Sequence, residues 1–441
     1  MSSATFLSPN ISRKRVTIVS ILFMGLAHIL LLKQYVKGAF FAFVQLLFIG
    51  FLPYITGKIS DLITLGVPQP DLPIRMRDNS LFMMIDGIIV VAIIGLFVAA
   101  YIISIRSARL IYDEAQSARR LPDAMASMRD IGGRSFPILA LAPTIVMLLF
   151  FVVVPLVFSA AVAFTNYSGP DNIPPANTID WVGADNFVSM FGGDTVWAGA
   201  VGRVALWTVM WAALATFTCY FGGLIIAVIL SDSGFKAVKK FRPLFILPYA
   251  IPAVISMMVW RNLLNGSFGT INRTLLELGW ITEIIPWLTD AWLARFSVVM
   301  LNLWAGFPYF MMLSTGAMTS IPSDIYEAAG IDGANKIQQF RYITLPTVLY
   351  QTTPLIILSF THNINNFGAI FFLTGGNPVM PDSTTTSAGG TDILVTWIYN
   401  LTVNLFQYNR ASVIAVMIFV ALAPFAIWSF RRTKSFKEGD F

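Results

Sequence analysis

Charged residues are scarce in this chain. Asp, Glu, Lys and Arg make up 12% of its 441 residues, whereas they make up about 25% of an ordinary soluble domain. Hydrophobic residues account for 56% of the chain, and its mean hydropathy is +0.72. A soluble fold cannot bury that much apolar surface, so the composition excludes a soluble enzyme, a disordered protein and a nucleic-acid-binding protein. It predicts a polytopic helical membrane protein.

The residue groups that carry catalysis or bind metals are also missing from the sequence. The single cysteine, Cys219, can form no internal disulfide and offers no Cys/His metal cluster, so we expect it to face lipid or the protein core. The nearest approach to a phosphate-binding loop is Gly57-Lys58, but Leu52 replaces its first glycine and Ile59 replaces its Ser or Thr. We therefore expect no enzyme activity, no metal and no cofactor on this chain, and any ATP hydrolysis must come from another chain.

Long apolar runs fill most of the sequence. A membrane-spanning helix needs about 20 apolar residues, and eight runs reach that length: 35–56, 81–105, 138–164, 204–230, 243–261, 296–318, 347–373 and 411–430. A ninth run, 16–32, is shorter and is interrupted by Ser20 and His28. The sequence therefore predicts an all-α membrane protein with about eight transmembrane helices.

The distribution of basic residues predicts the orientation of these spans. Lys and Arg cluster in segments 106–135 and 231–242 and in the C-terminal tail, whereas the loop 165–202 has four aspartates and no Lys or Arg. Basic loops concentrate on the cytoplasmic side. We therefore expect both termini in the cytoplasm and the loop 165–202 outside. Eight spans satisfy this rule only if the run 16–32 lies in the membrane interface or re-enters.

Two membrane regions follow from this arrangement. The N-terminal region, residues 1–135, holds the run 16–32, the first two spans and a basic cytoplasmic loop. The second region, residues 136–441, holds a core of six spans.

Polarity inside the later spans is neutral. His362 is the only ionisable group deep inside its span, and ion-coupled carriers usually need buried charges. Ser359, Asn363 and Asn366 fall at positions i, i+4 and i+7, which share one helical face. Amides and hydroxyls suit a polyhydroxylated solute, but they can also hydrogen-bond neighbouring helices. We assign Asn365, which lies off that face, to this second role.

A loop of distinctive sequence separates the sixth and seventh spans. Its Pro-Ser-Asp at 322–324 favours a helix start, and Gly330 and Gly333 allow a turn after that helix. We expect a second short helix at 334–342, and we expect Pro346 to restart the chain into the next span.

The spacing of residues in this loop, 319–346, resembles the EAA loop of ABC importer permeases at every position. The matching residues are Glu327, Ala328, Ala329, Gly333, Ile343, Leu345 and Pro346. In that family the loop carries the helix that docks on the ATPase subunit. Six further segments resemble the MalF-type permeases of maltose and maltodextrin importers: 164–168, 246–252, 265–272, 302–309, 359–367 and 386–395.

The resemblance covers residues 136 to the C-terminus and implies a type I ABC importer permease in a bacterial cell membrane. Its expected substrate is an oligosaccharide, most readily maltose or maltodextrins, with galacto-oligosaccharides as the alternative. The expected partners are a second, similar permease chain, a dimer of ATPases, and a lipid-anchored or periplasmic sugar-binding protein. A proton-coupled sugar carrier that uses His362, and a membrane scaffold that only docks a partner, are the competing hypotheses.

The resemblance also implies a sugar site midway across the membrane. Six residues stand at the family's sugar-contacting positions: Tyr249, Asn302, Gly306, Ser359, Asn363 and Asn366. Ala253, Ala305 and His362 depart from the enterobacterial pattern, which has Ser, Leu and Phe there. The loop 165–202 is also short where the enterobacterial form inserts a periplasmic domain.

Overall fold

The computed structural model describes residues 11–118, 121, 136–231 and 242–432. These residues are mainly helical and contain no strand, only isolated β-bridges that pair Thr165 with Trp181 and Ser168 with Asn172. Most of the predicted basic loop before residue 136, nearly all of the predicted loop 231–242 and the tail after Arg432 lie outside the described residues.

The chain divides into two compact units, residues 1–181 and 182–441. This division follows packing and not membrane regions, so the sequence-based boundary at residue 136 stays a prediction. Helices of the first unit are α1 (Arg13–Leu22), α2 (Leu26–Leu30), α3 (Tyr35–Gly50), α4 (Leu52–Thr64), α5 (Ser80–Ala118), α6 (Phe136–Leu148) and α7 (Val154–Val162).

The second unit holds the predicted site and loop. Its helices are α8 (Asp185–Val188), α9 (Thr195–Ser231), α10 (Arg242–Ala250), α11 (Ala253–Leu263), α12 (Thr270–Glu277), α13 (Ala291–Thr319), α14 (Ser323–Ile331), α15 (Lys336–Gln339), α16 (Leu345–Ile364), α17 (Phe367–Leu373), α18 (Ser383–Thr386), α19 (Leu394–Tyr399) and α20 (Tyr408–Arg432).

Six helical stretches of the described chain are long and apolar enough to cross a membrane, and two bent pairs raise the number to as many as eight. The bent pairs are α3 with α4, at 53°, and α10 with α11, at 93°. Each of the eight predicted runs falls on one of these stretches or pairs, so the prediction of an all-α membrane protein with about eight spans is confirmed.

The run 16–32 forms two short helices that lie along the C-terminal half of α5. Tyr101 donates from its hydroxyl to the carbonyl of Ile21 at 2.8 Å, and the Arg109 side chain donates to the Thr17 hydroxyl at 3.0 Å. The longer helix, α1, has 10 residues, which span only about 15 Å at 1.5 Å per residue. The run is therefore too short to cross a bilayer core of about 30 Å as a helix.

An ion pair joins the two long helical segments of the first unit. The ammonium of Lys58 on α4 lies 2.9 Å from the carboxylate of Asp86 on α5, and 3.5 Å from that of Asp61. Charges in a span are tolerated when they pair with one another. The pair therefore provides a partner for Asp86, the one charged residue of the predicted run 81–105.

The core of the second unit forms where α9 packs along α13. Trp207, Trp211 and Ala215 of α9 are buried in one cluster with Val298 and Leu301 of α13. The same cluster takes in Met257 of α11 together with Ile370 and Leu373 of α17. Helix α9 therefore runs through the middle of this unit and contacts the helices that carry the predicted sugar site.

Two arginines fix the segment between α17 and α19 to this core. Arg203 of α9 donates to both carboxylate oxygens of Asp382, at 2.8 Å each, and to the carbonyls of Ala388 and Gly389. The Arg295 side chain of α13 donates to the carbonyl of the adjacent glycine, 390, at 2.8 Å. Charge-assisted bonds of this kind are stronger than neutral ones, so this segment is anchored to both α9 and α13.

Candidate functional site

A cavity of about 420 Å³ lies among α9, α10, α13 and α16. All six residues predicted to contact a sugar line it: Tyr249, Asn302, Gly306, Ser359, Asn363 and Asn366. The structure thus brings together residues that are as far apart as 249 and 366 in the sequence. Their contact with a sugar stays a prediction.

The cavity lies near the middle of the spans that form it. Asn302 and Gly306 occupy the central turns of the 29-residue helix α13. Ser359 and Asn363 lie in the last two turns of α16, which ends at Ile364, just before the break that separates it from α17. A helical span that stops in mid-membrane is tolerated where it borders a cavity. The break between α16 and α17 therefore lies beside the polar residues that line the cavity.

Asn363 is hydrogen-bonded to neighbouring residues through both its side chain and its backbone. Its side-chain nitrogen donates to the Thr216 hydroxyl of α9 at 3.0 Å, and its side-chain oxygen accepts from the Asn366 amide at 3.3 Å. The Trp211 indole donates to its backbone carbonyl at 3.0 Å. Only 6% of Asn363 is exposed. Asn363 therefore hydrogen-bonds a neighbouring helix, which was the alternative role for the polar residues of this span, and it also lines the cavity.

Asn302 makes a comparable contact with α9. Its side-chain nitrogen donates to Sγ of Cys219 at 3.4 Å, and the same thiol donates to the Asn302 carbonyl at 3.4 Å. A side chain at Gly306 would bring its Cβ within 2.8 Å of that sulfur. Cys219 is therefore a core-facing residue, as expected, but it also lines the cavity, which the sequence did not reveal.

The remaining polar lining groups are two tyrosines and a histidine. Tyr249 is 52% exposed, and its ring centroid lies 6.2 Å from that of Tyr309, so two aromatic rings border the same space. His362 faces the cavity beside Ser359. Among the described residues that line this cavity there is no Asp, Glu, Lys or Arg. Amides, hydroxyls and aromatic rings in such a site can bind a neutral polar ligand through hydrogen bonds and stacking.

The predicted coupling loop is an exposed helix and a turn. Helix α14 begins at Ser323, as predicted, and Glu327 and Ala328 lie on its exposed surface. Gly333 follows in the left-handed region at φ +80°. Ile331 and Ile337, which flank this turn, are 88% and 77% exposed. Large apolar side chains that protrude around a turn are typical of a surface that binds another protein.

The second half of this loop differs from the prediction. The separate helix expected at 334–342 is instead α15, followed by a π-helical turn, Phe340–Thr344, that continues into α16. Pro346 does not restart the chain. The amide of Leu345 donates to the carbonyl of Phe340, five residues back. The wider turn accommodates the proline ring and its missing N–H, so the helix is continuous into the membrane.

Residues on the buried side of the loop pack against the neighbouring spans. Leu345 and Phe340 pack against the buried side chains of Phe310 and Val348. The hydroxyl of Tyr326 on α14 lies 2.9 Å from that of Thr344. Ala329 and Ile343 are partly buried. The loop is thereby attached to the cytoplasmic ends predicted for α13 and α16, the two helices that carry the polar cavity residues.

The described residues were compared with the arrangement of side chains that a metal site needs. Within residues 11–118, 121, 136–231 and 242–432, no group of three or more His, Cys, Asp or Glu is placed to hold an ion.

Comparison with known proteins identifies the family. The family model described as "Binding-protein-dependent transport system inner membrane component" matches residues 220–432. The galactooligosaccharides transport system permease protein GanP of Bacillus subtilis (strain 168) is 37% identical over 407 residues, 92% of this chain and 94% of GanP. The chain belongs to the family of binding-protein-dependent ABC sugar permeases. The predicted family is thus confirmed, and the permease is a multi-pass membrane protein and a transport subunit.

Two further relatives show how the permease compares along its length. The maltodextrin permease MalC of Streptococcus pneumoniae serotype 4 is 35% identical over 417 residues, 92% of this permease and 93% of MalC. The maltose/maltodextrin permease MalF of Vibrio parahaemolyticus is 38% identical over 256 residues, 57% of this permease and 48% of MalF. The similarity to MalC is thus nearly end to end, whereas that to MalF covers about half of each chain.

A solved structure shows the same fold. One chain of a bacterial ABC transporter involved in import of the acidic polysaccharide alginate is 23% identical, with a TM-score of 0.54 over 70% of this permease and 99% of that chain. The type I importer permease fold is therefore confirmed.

Proposed function

We propose that this permease carries neutral oligosaccharides through the 420 Å³ cavity, with maltodextrins as its substrate. The observation that carries the assignment of a neutral oligosaccharide is the lining of the cavity, which combines amides, a serine, a histidine and two tyrosines with no Asp, Glu, Lys or Arg among those described. An anionic sugar would require a cation to offset its desolvation. Neutral sugar hydroxyls need only donors and acceptors, which this cavity supplies.

The second candidate is a galacto-oligosaccharide. The 37% identity with GanP, which is named for galactooligosaccharides, favours it, and MalC at 35% favours maltodextrins. Both sugars are neutral and polyhydroxylated, so the composition of the cavity suits either.

Uptake decides between these sugars. A strain that lacks this chain is compared with the same strain complemented by it, and initial uptake of labelled maltotriose and galactobiose is measured in both. We expect the chain to restore maltotriose uptake at least tenfold more than galactobiose uptake, a ratio that corresponds to about 1.4 kcal/mol. The opposite ratio would assign the permease to galacto-oligosaccharides, and restoration of neither would contradict a neutral sugar of these two classes.

The proposed assembly contains a second permease chain, an ATPase dimer and an extracellular binding protein. The exposed Glu327 and Ala328, with the protruding Ile331 and Ile337, support ATPase docking at the loop between α13 and α16. ATP hydrolysis occurs on the ATPase chains, and this permease binds no cofactor of its own. The proposed cytoplasmic location of both termini is supported by the basic residues that flank the spans.

His362 tests the competing proton-coupled mechanism. It faces the cavity beside Ser359 and is the only ionisable side chain that the sequence places deep in that span. We expect His362→Phe to keep ATP-dependent uptake, with the same pH profile as the unchanged permease between about pH 5 and 8, where histidine titrates. A pH-dependent uptake that becomes flat in His362→Phe, and that persists without the ATPase, would contradict the ABC mechanism.

A further inference from the structure

Two of the three side-chain amides that line the cavity are held by one face of helix α9. Thr216 accepts from the Asn363 side chain at 3.0 Å, and Cys219 accepts from the Asn302 side chain at 3.4 Å. Thr216 and Cys219 are three residues apart, so they lie on the same side of the helix. Their exposed fractions are 0% and 3%. Neither residue belongs to the set that the family resemblance assigns to the sugar.

We propose that Thr216 and Cys219 are positioning residues that fix the side chains of Asn363 and Asn302 for sugar binding. A carboxamide has two N–H donors and one acceptor oxygen, and it can rotate. A buried partner on one N–H fixes the plane of the amide and thereby the direction of its other groups. Sugar binding then does not have to order these side chains, which reduces the entropic cost of binding. This inference rests on the proposed function of the cavity.

The contact at Thr216 extends along a chain of hydrogen bonds. The amide of Asn366 donates to the side-chain oxygen of Asn363 at 3.3 Å, and the oxygen of Asn366 accepts from the backbone of Ala369 at 3.4 Å. This chain runs from α9 across the end of α16 to the first turn of α17. Loss of the Thr216 hydroxyl therefore removes the α9 end of this chain, which holds Asn363 directly and Asn366 only through Asn363.

Cys219 restrains Asn302 through two contacts. Its sulfur accepts from the side-chain amide, and its S–H donates to the backbone carbonyl of the same residue. The sulfur also occupies the space beside Gly306, where an added Cβ would be 2.8 Å away. Cys219 thus sets both the rotamer of Asn302 and the width of the cavity at Gly306.

The test measures sugar binding separately from folding. Purified permease in complex with its partner permease and ATPases is dialysed to equilibrium against labelled maltotriose and, in parallel, galactobiose. We expect Thr216→Val, which keeps the shape but removes the hydroxyl, and Cys219→Ala each to raise the sugar Kd roughly 5- to 20-fold, the effect of losing one hydrogen bond of this kind. Thr216→Ser, which keeps the hydroxyl, should bind as the unchanged complex does.

Thr353→Val is the matched control. Thr353 lies on α16, its side chain is exposed, and its hydroxyl donates to the carbonyl of Leu349 within that helix. This variant makes the same chemical substitution away from the cavity, so it should leave the sugar Kd unchanged.

Double variants show whether each residue acts through its amide. Thr216→Val should add less than about twofold to the effect of Asn363→Ala, and Cys219→Ala should add equally little to Asn302→Ala, because each pair shares one interaction. In crossed pairs, such as Thr216→Val with Asn302→Ala, the two increases in the sugar Kd should instead multiply.

Two different failures are distinguishable. Wild-type sugar binding in both Asn302→Ala and Asn363→Ala would remove the sugar from this cavity and so overturn the proposed function. Weaker binding in those two variants, with wild-type binding in Thr216→Val and Cys219→Ala, would overturn only the positioning role. Should Thr216→Val fail to assemble, the comparison of Cys219→Ala with Asn302→Ala decides the question alone.

Discussion

Gly333→Pro should abolish sugar uptake while leaving the permease in the membrane. Gly333 has φ +80°, whereas the proline ring fixes φ near −65°. Its amide also donates to the carbonyl of Gly330 at 3.1 Å, a bond that proline cannot make. A cost of about 3 kcal/mol for the native turn lowers the population of the native loop about 150-fold. The change lies in a loop between spans, so insertion should be unaffected.

Gly333→Asn is the control for this prediction. Asparagine tolerates the left-handed region better than most residues, and there is open space within 4 Å of an added Cβ at this position. Uptake of labelled sugar and ATPase stimulation by the loaded binding protein are measured in membranes with equal amounts of permease. Asn should retain most of both activities, and Pro should lose both. Normal uptake with Gly333→Pro would contradict the assignment of this loop as the coupling element.

Hydropathy located the spans because each span must be about 20 apolar residues long whatever it packs against. It could not locate the bends. The 93° bend between α10 and α11 falls between Ala250 and Ala253, next to Pro252, yet Pro308 and Pro354 lie inside helices that continue through them. Proline alone therefore does not distinguish a break from a kink, since neighbouring helices decide which one is tolerated.

The candidate site was predictable in composition but not in its contacts. Helical spacing placed Ser359, Asn363 and Asn366 on one face, and the structure places all three at the cavity. It gave no sign that Thr216, 147 residues away from Asn363, is its partner. A threonine or a cysteine within an apolar run has the same appearance whether it faces lipid or a cavity. Cys219 was accordingly expected only to pack.

The contacts of Arg203 and Arg295 with the segment between α17 and α19 could not be predicted from the sequence for the same reason. Arg203 and Asp382 are 179 residues apart and meet only because α9 lies against the segment between α17 and α19. Buried Asp392 in that segment accepts hydrogen bonds from Gly389 and Thr396, and burial raises the pKa of its carboxyl group. Contacts of such range follow from packing, which local periodicity does not encode.

Gly306→Leu should obstruct the cavity and nearly stop sugar uptake. Gly306 lines the 420 Å³ space, and its Cβ position is already 2.8 Å from the sulfur of Cys219. Leucine adds four carbons on that side. The space that these carbons fill is no longer open to a sugar, so uptake should fall at least roughly tenfold, which corresponds to about 1.4 kcal/mol. Initial uptake of labelled maltotriose at limiting sugar is the measurement, with permease levels matched by immunoblot.

Gly316→Leu is the matched control on the same helix, because an added Cβ there meets nothing within 4 Å. It should transport normally.

A double variant tests the contact between Gly306 and Cys219. The smaller change Gly306→Ala is combined with Cys219→Ala, in which the nearest remaining atom of residue 219 is its Cβ, 3.7 Å from the added Cβ. Because the clash disappears with the sulfur, the double variant should transport no worse than Cys219→Ala alone. Multiplied defects in the double variant, or normal uptake in Gly306→Leu, would show that the sugar does not pass Gly306.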